Sequence, residues 1–185
     1  MNRFVPSLLL CTIAMAASAA AAGTVSVTYA PPVPSKYSDA GTAAWDEEPN
    51  LKSLAGHLEG LGTLMPANHN IKIEFVDMDL AGTVKPSRRD GSPFRTVKGQ
   101  VDAPRATLRY TWEVDGKQRA TGEELVTDLY YERGISKYHA SKPLFYEKRM
   151  LEKWFKQRFG EFMKSTGTVA GTTKPAAKPA KAASS

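Results

Sequence analysis

The segment Ile73-Glu74-Phe75-Val76-Asp77-Met78-Asp79-Leu80-Ala81-Gly82 sets two carboxylates two positions apart at the end of an apolar run. In an extended chain that spacing brings both onto one side of a strand. Paired oxygen ligands suit a hard cation, and a carboxyl whose pKa is shifted by its neighbours serves as a general acid or base. Asp77 and Asp79 are therefore candidates for catalysis and for metal binding. Two carboxylates are too few for a calcium site, and no spaced Asp/Asn/Gly loop follows them. The structural alternative is that the apolar strand ends at Val76 and the carboxylates accept hydrogen bonds from loop N–H groups before a turn at Gly82.

Glu123 and Asp128 on a later strand, and His139 beside Tyr138 in a loop, are further catalytic candidates. None has a partner group at a defined spacing. His57 falls on the polar side of a helix and His69 in a Pro/Asn-rich turn, so both read as surface side chains. No pair of histidines has the spacing of a helical metal motif. The sequence contains no Gly-x-Ser-x-Gly elbow and no glycine-rich phosphate loop, and it implies no cofactor.

Binding chemistry is concentrated elsewhere. Residues 82–104 hold Lys85, Arg88, Arg89, Arg95 and Lys98 against Asp90 and Asp102, a net charge of +3, with Phe94 among the cations. A connection of this length predicts a long loop, either a solvated, mobile one or a surface for an acidic partner. Lys85, Arg88, Arg89, Phe94, Arg95 and Lys98 form the candidate surface for an envelope protein or an anionic polymer. The segment is too short and too poor in aromatics to predict a nucleic-acid partner.

The first residues, Met1 to Gly23, carry Arg3, an apolar run from about Leu8 to Ala17, and small residues at Ala20-Ala21-Ala22. This predicts a secretory signal peptide over 1–22, with cleavage near Ala22 and a product in the periplasm or outside the cell. The apolar run is shorter than the roughly 20 residues that span a bilayer, and no later segment approaches that length. Cys11, the one cysteine, lies within the leader, so no disulfide or thiolate site is expected after export.

The formal charge of +6 is unevenly distributed. Of 25 lysines and arginines, Arg3 lies in the leader and Lys164, Lys174, Lys178 and Lys181 in the tail, which leaves 20 against 19 acids in residues 23–163. The tail, 164–185, is rich in Lys, Pro and Ala and lacks acids and aromatics, a composition that predicts disorder. Its lysines suit weak, salt-sensitive contact with anionic surfaces.

The remaining 23–163 has the size of one domain with a core of its own. Val25, Val27 and Tyr29 alternate as in a half-buried strand, which Pro31, Pro32 and Pro34 then stop. Leu51, Leu54, Leu58, Leu61 and Met65 form a helical stripe that starts near Asp46 and Pro49. From His69 a second strand is predicted, with Ile71, Ile73, Phe75, Asp77 and Asp79 on one face. Ala106, Leu108, Tyr110, Trp112 and Val114 alternate along a third, and Asp115-Gly116 supplies a hairpin turn. A three-residue loop over Val114–Gly116 would set Tyr110 opposite Ala120 and Leu108 opposite Gly122, with the return strand running to about Tyr131. Pro143 begins the last helix, whose broad apolar stripe runs through Leu144, Met150, Leu151, Trp154, Phe155, Phe159 and Phe162.

The segments Val27-Thr28-Tyr29-Ala30-Pro31-Pro32, Asp77-x-Asp79-Leu80-Ala81-Gly82, Arg105 to Tyr131 and Tyr146-Glu147-Lys148-Arg149-Met150-Leu151-x-x-Trp154-Phe155 resemble the ordered motifs of the bacterial family called domain of unknown function 3016. The resemblance spans nearly all of residues 24–160. It implies an exported protein and carries no activity with it. Pro49 departs from the pattern, in which the corresponding position continues a helix.

These patterns predict an α+β fold: a mostly antiparallel sheet of about four strands with two helices packed on one face. The expected function is a non-catalytic binding module of the cell envelope. The alternative is a carboxylate-dependent hydrolase or metal binder centred on Asp77 and Asp79.

Overall fold

A computed structural model describes residues 22–29, 37–135 and 142–163. Residues 1–21 of the predicted leader, the proline run after β1, the tail and His139 lie outside the described residues. The described residues form six strands: β1 (Thr24–Tyr29), β2 (His69–Asp79), β3 (Thr83–Pro86), β4 (Pro93–Thr96), β5 (Arg105–Val114) and β6 (Lys117–Thr127). The two longer helices are α1 (Ala44–Leu61) and α2 (Phe145–Phe159).

Four strands form one sheet in the order β1-β2-β5-β6, with β1 parallel to β2 and the other pairs antiparallel. Parallel strands need a crossover, and α1 provides it. The helical stripe buries Leu51, Leu54 and Leu58, while Met150, Leu151, Trp154 and Phe155 come in from α2. Both sets join Ile71, Ile73, Phe75, Leu108 and Tyr110 in one cluster, so both helices cover the same face. The expected α+β architecture is what the chain adopts.

The uncovered face is polar and paired. Arg109 bridges Glu74 at 2.7 Å and Glu123 at 2.8 Å, and Lys72 meets Glu113 at 3.0 Å. Exposed pairs of this kind contribute about 0–1 kcal/mol each. They keep the face soluble and in register more than they stabilise it.

Several local expectations need correction. The pairing of β2 with β5 shifts between Phe75 and Asp77, so Val76 is a bulge. An extra residue reverses the alternation. Met78 and Leu80 are buried in the positions that Asp77 and Asp79 were expected to share with Ile71, Ile73 and Phe75, and the two carboxylates turn to the opposite side. The connection 82–104 is not a loop throughout, because β3 and β4 pair as a separate hairpin, Lys85 opposite Phe94.

The β5–β6 turn has two residues. Val114 faces Lys117, and Asp115 and Gly116 carry φ of 52° and 70°, the double left-handed conformation of the tight turn that matches strand twist. A bulge after Trp112 then sets Trp112 opposite Ala120 and Tyr110 opposite Gly122. Strand β6 ends at Thr127, four residues before the expected Tyr131. Helix α1 starts at Ala44, where the Asp46 carboxylate accepts the Ala43 N–H at 3.2 Å; Pro49 therefore lies inside the helix and removes the bond that its N–H would donate to Trp45. Helix α2 starts at Phe145 rather than Pro143, after Leu144 at φ 56°.

Trp154 is 6 % exposed, and its indole N–H donates to Glu124 at 2.9 Å. Trp154→Ala should cost about 3–5 kcal/mol in urea unfolding. A loss under 1 kcal/mol would mean that α2 does not close the core.

Candidate functional site at the end of the central strand

Past the bulge, β2 runs into a segment that returns alongside it. The Asp39 N–H donates to Met78 O and the Leu80 N–H to Asp39 O, both at 2.9 Å, which extends the sheet edge by one parallel bridge. Asp77 accepts the Ser38 N–H at 2.8 Å and the Ser38 hydroxyl at 2.7 Å, one on each carboxylate oxygen. Asp77 is thus a clamp on the incoming loop. Asp79 lies opposite Arg105 with a 4.0 Å ion pair. Burial pushes its carboxyl above the usual range, and the negative charges of Asp39 and Asp77 act the same way against Arg105 and Arg95.

Two further charged groups, which no periodicity marked, complete the cluster. Arg95 forms a two-pronged pair with Asp39 at 2.6 and 3.0 Å. The same guanidinium donates to the carbonyls of Gly82 at 3.2 Å and Gly41 at 3.1 Å. Both partners are mostly buried, at 17 % and 25 % side-chain exposure. Glu147, in the first turn of α2, is 4 % exposed and accepts the Ala81 N–H at 2.8 Å. Burial pushes the Glu147 carboxyl up, while the Ala81 N–H and the Arg95 charge pull it down. Beside it lies a cleft of about 260 Å³ lined in part by Asp46, Asn50, Arg95, Tyr146 and Glu147.

The Leu80-Ala81-Gly82 backbone is the common wall. Gly82 has φ +90°, and a Cβ there would stand 2.4 Å from Thr96 O, so no side chain fits. Ala81 packs with Ala103 and Tyr131, against which Tyr146 sets its ring edge-on at 4.8 Å. Arg149 donates to the Tyr131 carbonyl at 3.1 Å. The two sequence segments Asp77–Gly82 and Tyr146–Arg149 therefore meet in space.

The remaining candidates are scattered. Glu123 lies on the open sheet face in its pair with Arg109, and Asp128 pairs with Lys153 at 2.5 Å. His57 and His69 are less exposed than expected: the His57 Nε2 is buried, and His69 is 7 % exposed at the start of β2. Among the described residues no three His, Cys, Asp or Glu side chains gather closely enough to hold a metal ion.

Of the six basic-segment candidates, Arg95 stands apart, since its guanidinium is spent on Asp39 and the turn carbonyls. Arg88 and Arg89 are exposed at the tip of the β3–β4 hairpin, Phe94 is 44 % exposed, Lys98 is exposed and Lys85 half-buried. None of these four cations forms an ion pair among the described residues. Asp90 at the tip is occupied by the Ser92 N–H and hydroxyl, at 3.1 and 2.6 Å. The geometry is a basic arm fixed at its root by Arg95.

Arg95→Ala should therefore cost about 3 kcal/mol, because it strands Asp39 and several carbonyls, whereas Arg88→Ser with Arg89→Ser should stay within about 0.5 kcal/mol. Equal losses in urea unfolding would refute the division between root and tip. Glu147 supplies a pH test. Its folded pKa lies above the ordinary 4.5, so its contribution is present below that value and is lost as pH rises through the raised one. The melting-temperature difference between wild type and Glu147→Gln should shift in favour of wild type as pH falls from 7 to 5; a constant difference would contradict the raised pKa.

No match was found among curated proteins. Residues 23–157 match the family described as "Protein of unknown function (DUF3016)". This span holds the sheet, the basic arm and nearly all of α2, so the chain belongs to the DUF3016 family.

Proposed function

We propose that the protein is an exported, non-catalytic binding module of the cell envelope that engages an acidic protein or anionic polymer through its basic arm. The observation that carries this reading is that Lys85, Arg88 and Arg89 on an arm whose root is fixed by Arg95, and Lys98 just beyond it, form no ion pair among the described residues. Cations on the sheet face and on α2 are largely neutralised, as in Lys72 with Glu113, Arg109 with Glu74, Lys153 with Asp128 and Arg158 with Glu124. Charges left unpaired on a pre-ordered arm lose little freedom on binding and attract an acidic surface from a distance. Phe94 adds an apolar contact directly across from Lys85. The leader-like start of the chain supports the export part of the reading, and the tail offers weak additional contact with an anionic surface.

A second reading rests on Asp79. Its raised pKa beside Asp39 and Asp77 is the kind of perturbation found at acid–base sites and cation sites. It predicts that a divalent cation at 100 times its dissociation constant stabilises the protein by about 2.7 kcal/mol, an effect that Asp79→Asn abolishes.

The primary test is cross-linking of the tagged protein in its own cells, followed by identification of what co-purifies. One recurrent acidic partner is expected. Its capture should fall at least tenfold with Arg88→Ser and Arg89→Ser at an unchanged melting temperature, and binding of the purified pair should weaken with added salt. Undiminished capture by the double variant would overturn the arm as the binding surface.

A further inference from the structure

A second concave site lies at the opposite end of β2 from the Asp77–Gly82 turn. His69 at the start of β2, Trp112 and Val114 at the end of β5, Arg119 early in β6 and Phe162 just after α2 line a cavity of about 420 Å³. Small-molecule sites fall in this volume range and combine an aromatic lining with a few polar groups.

Three rings form its wall. Trp112 and Phe162 have centroids 4.8 Å apart, and His69 stands 5.6 Å from each of them. The Trp112 indole N–H donates to His69 Nδ1 at 3.3 Å, which satisfies the indole N–H and one imidazole nitrogen and places the imidazole proton on Nε2. What the wall offers a ligand is then chiefly apolar ring surface. Phe162 leaves 40 % of its area exposed beside this stack.

Charge at the rim decides the kind of ligand. Arg119 is exposed and forms no ion pair or side-chain hydrogen bond among the described residues. Asp115 is an acid that acts on His69 at this corner, and its carboxylate already accepts the Asn68 side-chain amide at 3.1 Å. A guanidinium is a planar fork that pairs with a carboxylate through two parallel hydrogen bonds. An unpaired fork beside an open aromatic wall fits a molecule that carries both a ring and an anion.

We infer that the pocket formed by His69, Trp112, Phe162 and Arg119 binds an aromatic carboxylate, the ring stacking on Trp112 and Phe162 and the carboxylate pairing with Arg119. The same chemistry is presented by a small aromatic acid and by the terminal residue of a polypeptide ending in phenylalanine.

The test is a titration of the ¹⁵N-labelled protein with N-acetylphenylalanine, with its amide, and with a hexapeptide ending in phenylalanine, read at the indole N–H resonances. Trp45 and Trp154 lie outside the pocket lining and serve as internal references. Saturable shifts of Trp112 with the acid, at least tenfold weaker with the amide, are expected. Arg119→Gln should erase that preference, and Phe162→Ala should weaken both probes. A hexapeptide bound at least tenfold more tightly than N-acetylphenylalanine identifies a chain terminus as the ligand, and equal affinity identifies the small acid. Absence of saturable shifts, equal binding of acid and amide, or an undiminished preference in Arg119→Gln would each overturn the assignment.

Discussion

The single extra residue at Val76 decides what the carboxyl-terminal half of β2 does. Before it, Ile71, Ile73 and Phe75 point under the helices; after it, Met78 and Leu80 do. Without the shift, Asp77 and Asp79 would be driven into the apolar layer against α2, where two unpaired carboxylates would cost several kcal/mol each. With it, Asp77 receives Ser38 and Asp79 meets Arg105. The bulge also lets the strand bend toward the Leu80-Ala81-Gly82 turn, on which the polar cluster and the arm both depend.

That turn brings together segments far apart in sequence. Asp39 precedes α1, Arg95 belongs to β4 and Glu147 opens α2, and all three reach the backbone or the charges around residues 80–82. A core of aliphatic side chains is tolerant of small displacements, whereas a buried guanidinium with five oriented donors is not. The cluster therefore adds register where the hydrophobic layer alone would leave the hairpin free to pivot. Gly82 contributes by its lack of a side chain, which lets Thr96 O approach.

The sequence disclosed those parts of the fold that follow from period and composition. The four sheet strands, the Asp-Gly turn, the two helical stripes and the inward Trp154 all follow from alternation, spacing or turn chemistry. What it concealed follows from events of one residue or of long range. Bulges at Val76 and Arg119 leave no compositional trace, so the facing of Asp77 and the partner of Tyr110 were misplaced. Arg95 looked like its neighbours Arg88 and Arg89 because a one-dimensional charge count cannot register Asp39, 56 residues away. Glu147 was hidden inside an amphipathic helix, where a glutamate ordinarily faces water. His69, beside proline and asparagine, looked like a turn residue although Trp112 and Phe162 enclose it.

Near neutrality of residues 23–163 would suggest a protein indifferent to charged partners, yet the distribution of that charge argues otherwise. On the open sheet face Lys72 and Arg109 are each opposed by a carboxylate on a neighbouring strand, which cancels their field within a few ångströms. On the β3–β4 arm the tip carboxylate, Asp90, is engaged by Ser92, and Lys85, Arg88 and Arg89, with Lys98 just beyond β4, have no counterpart among the described residues. Three unpaired cations close together on one hairpin make the arm a localised source of positive potential. Because Arg95 ties the arm to Asp39, that potential has a fixed direction relative to the sheet. A partner drawn to it would be oriented as well as attracted, which distinguishes a binding element from a merely solvated loop.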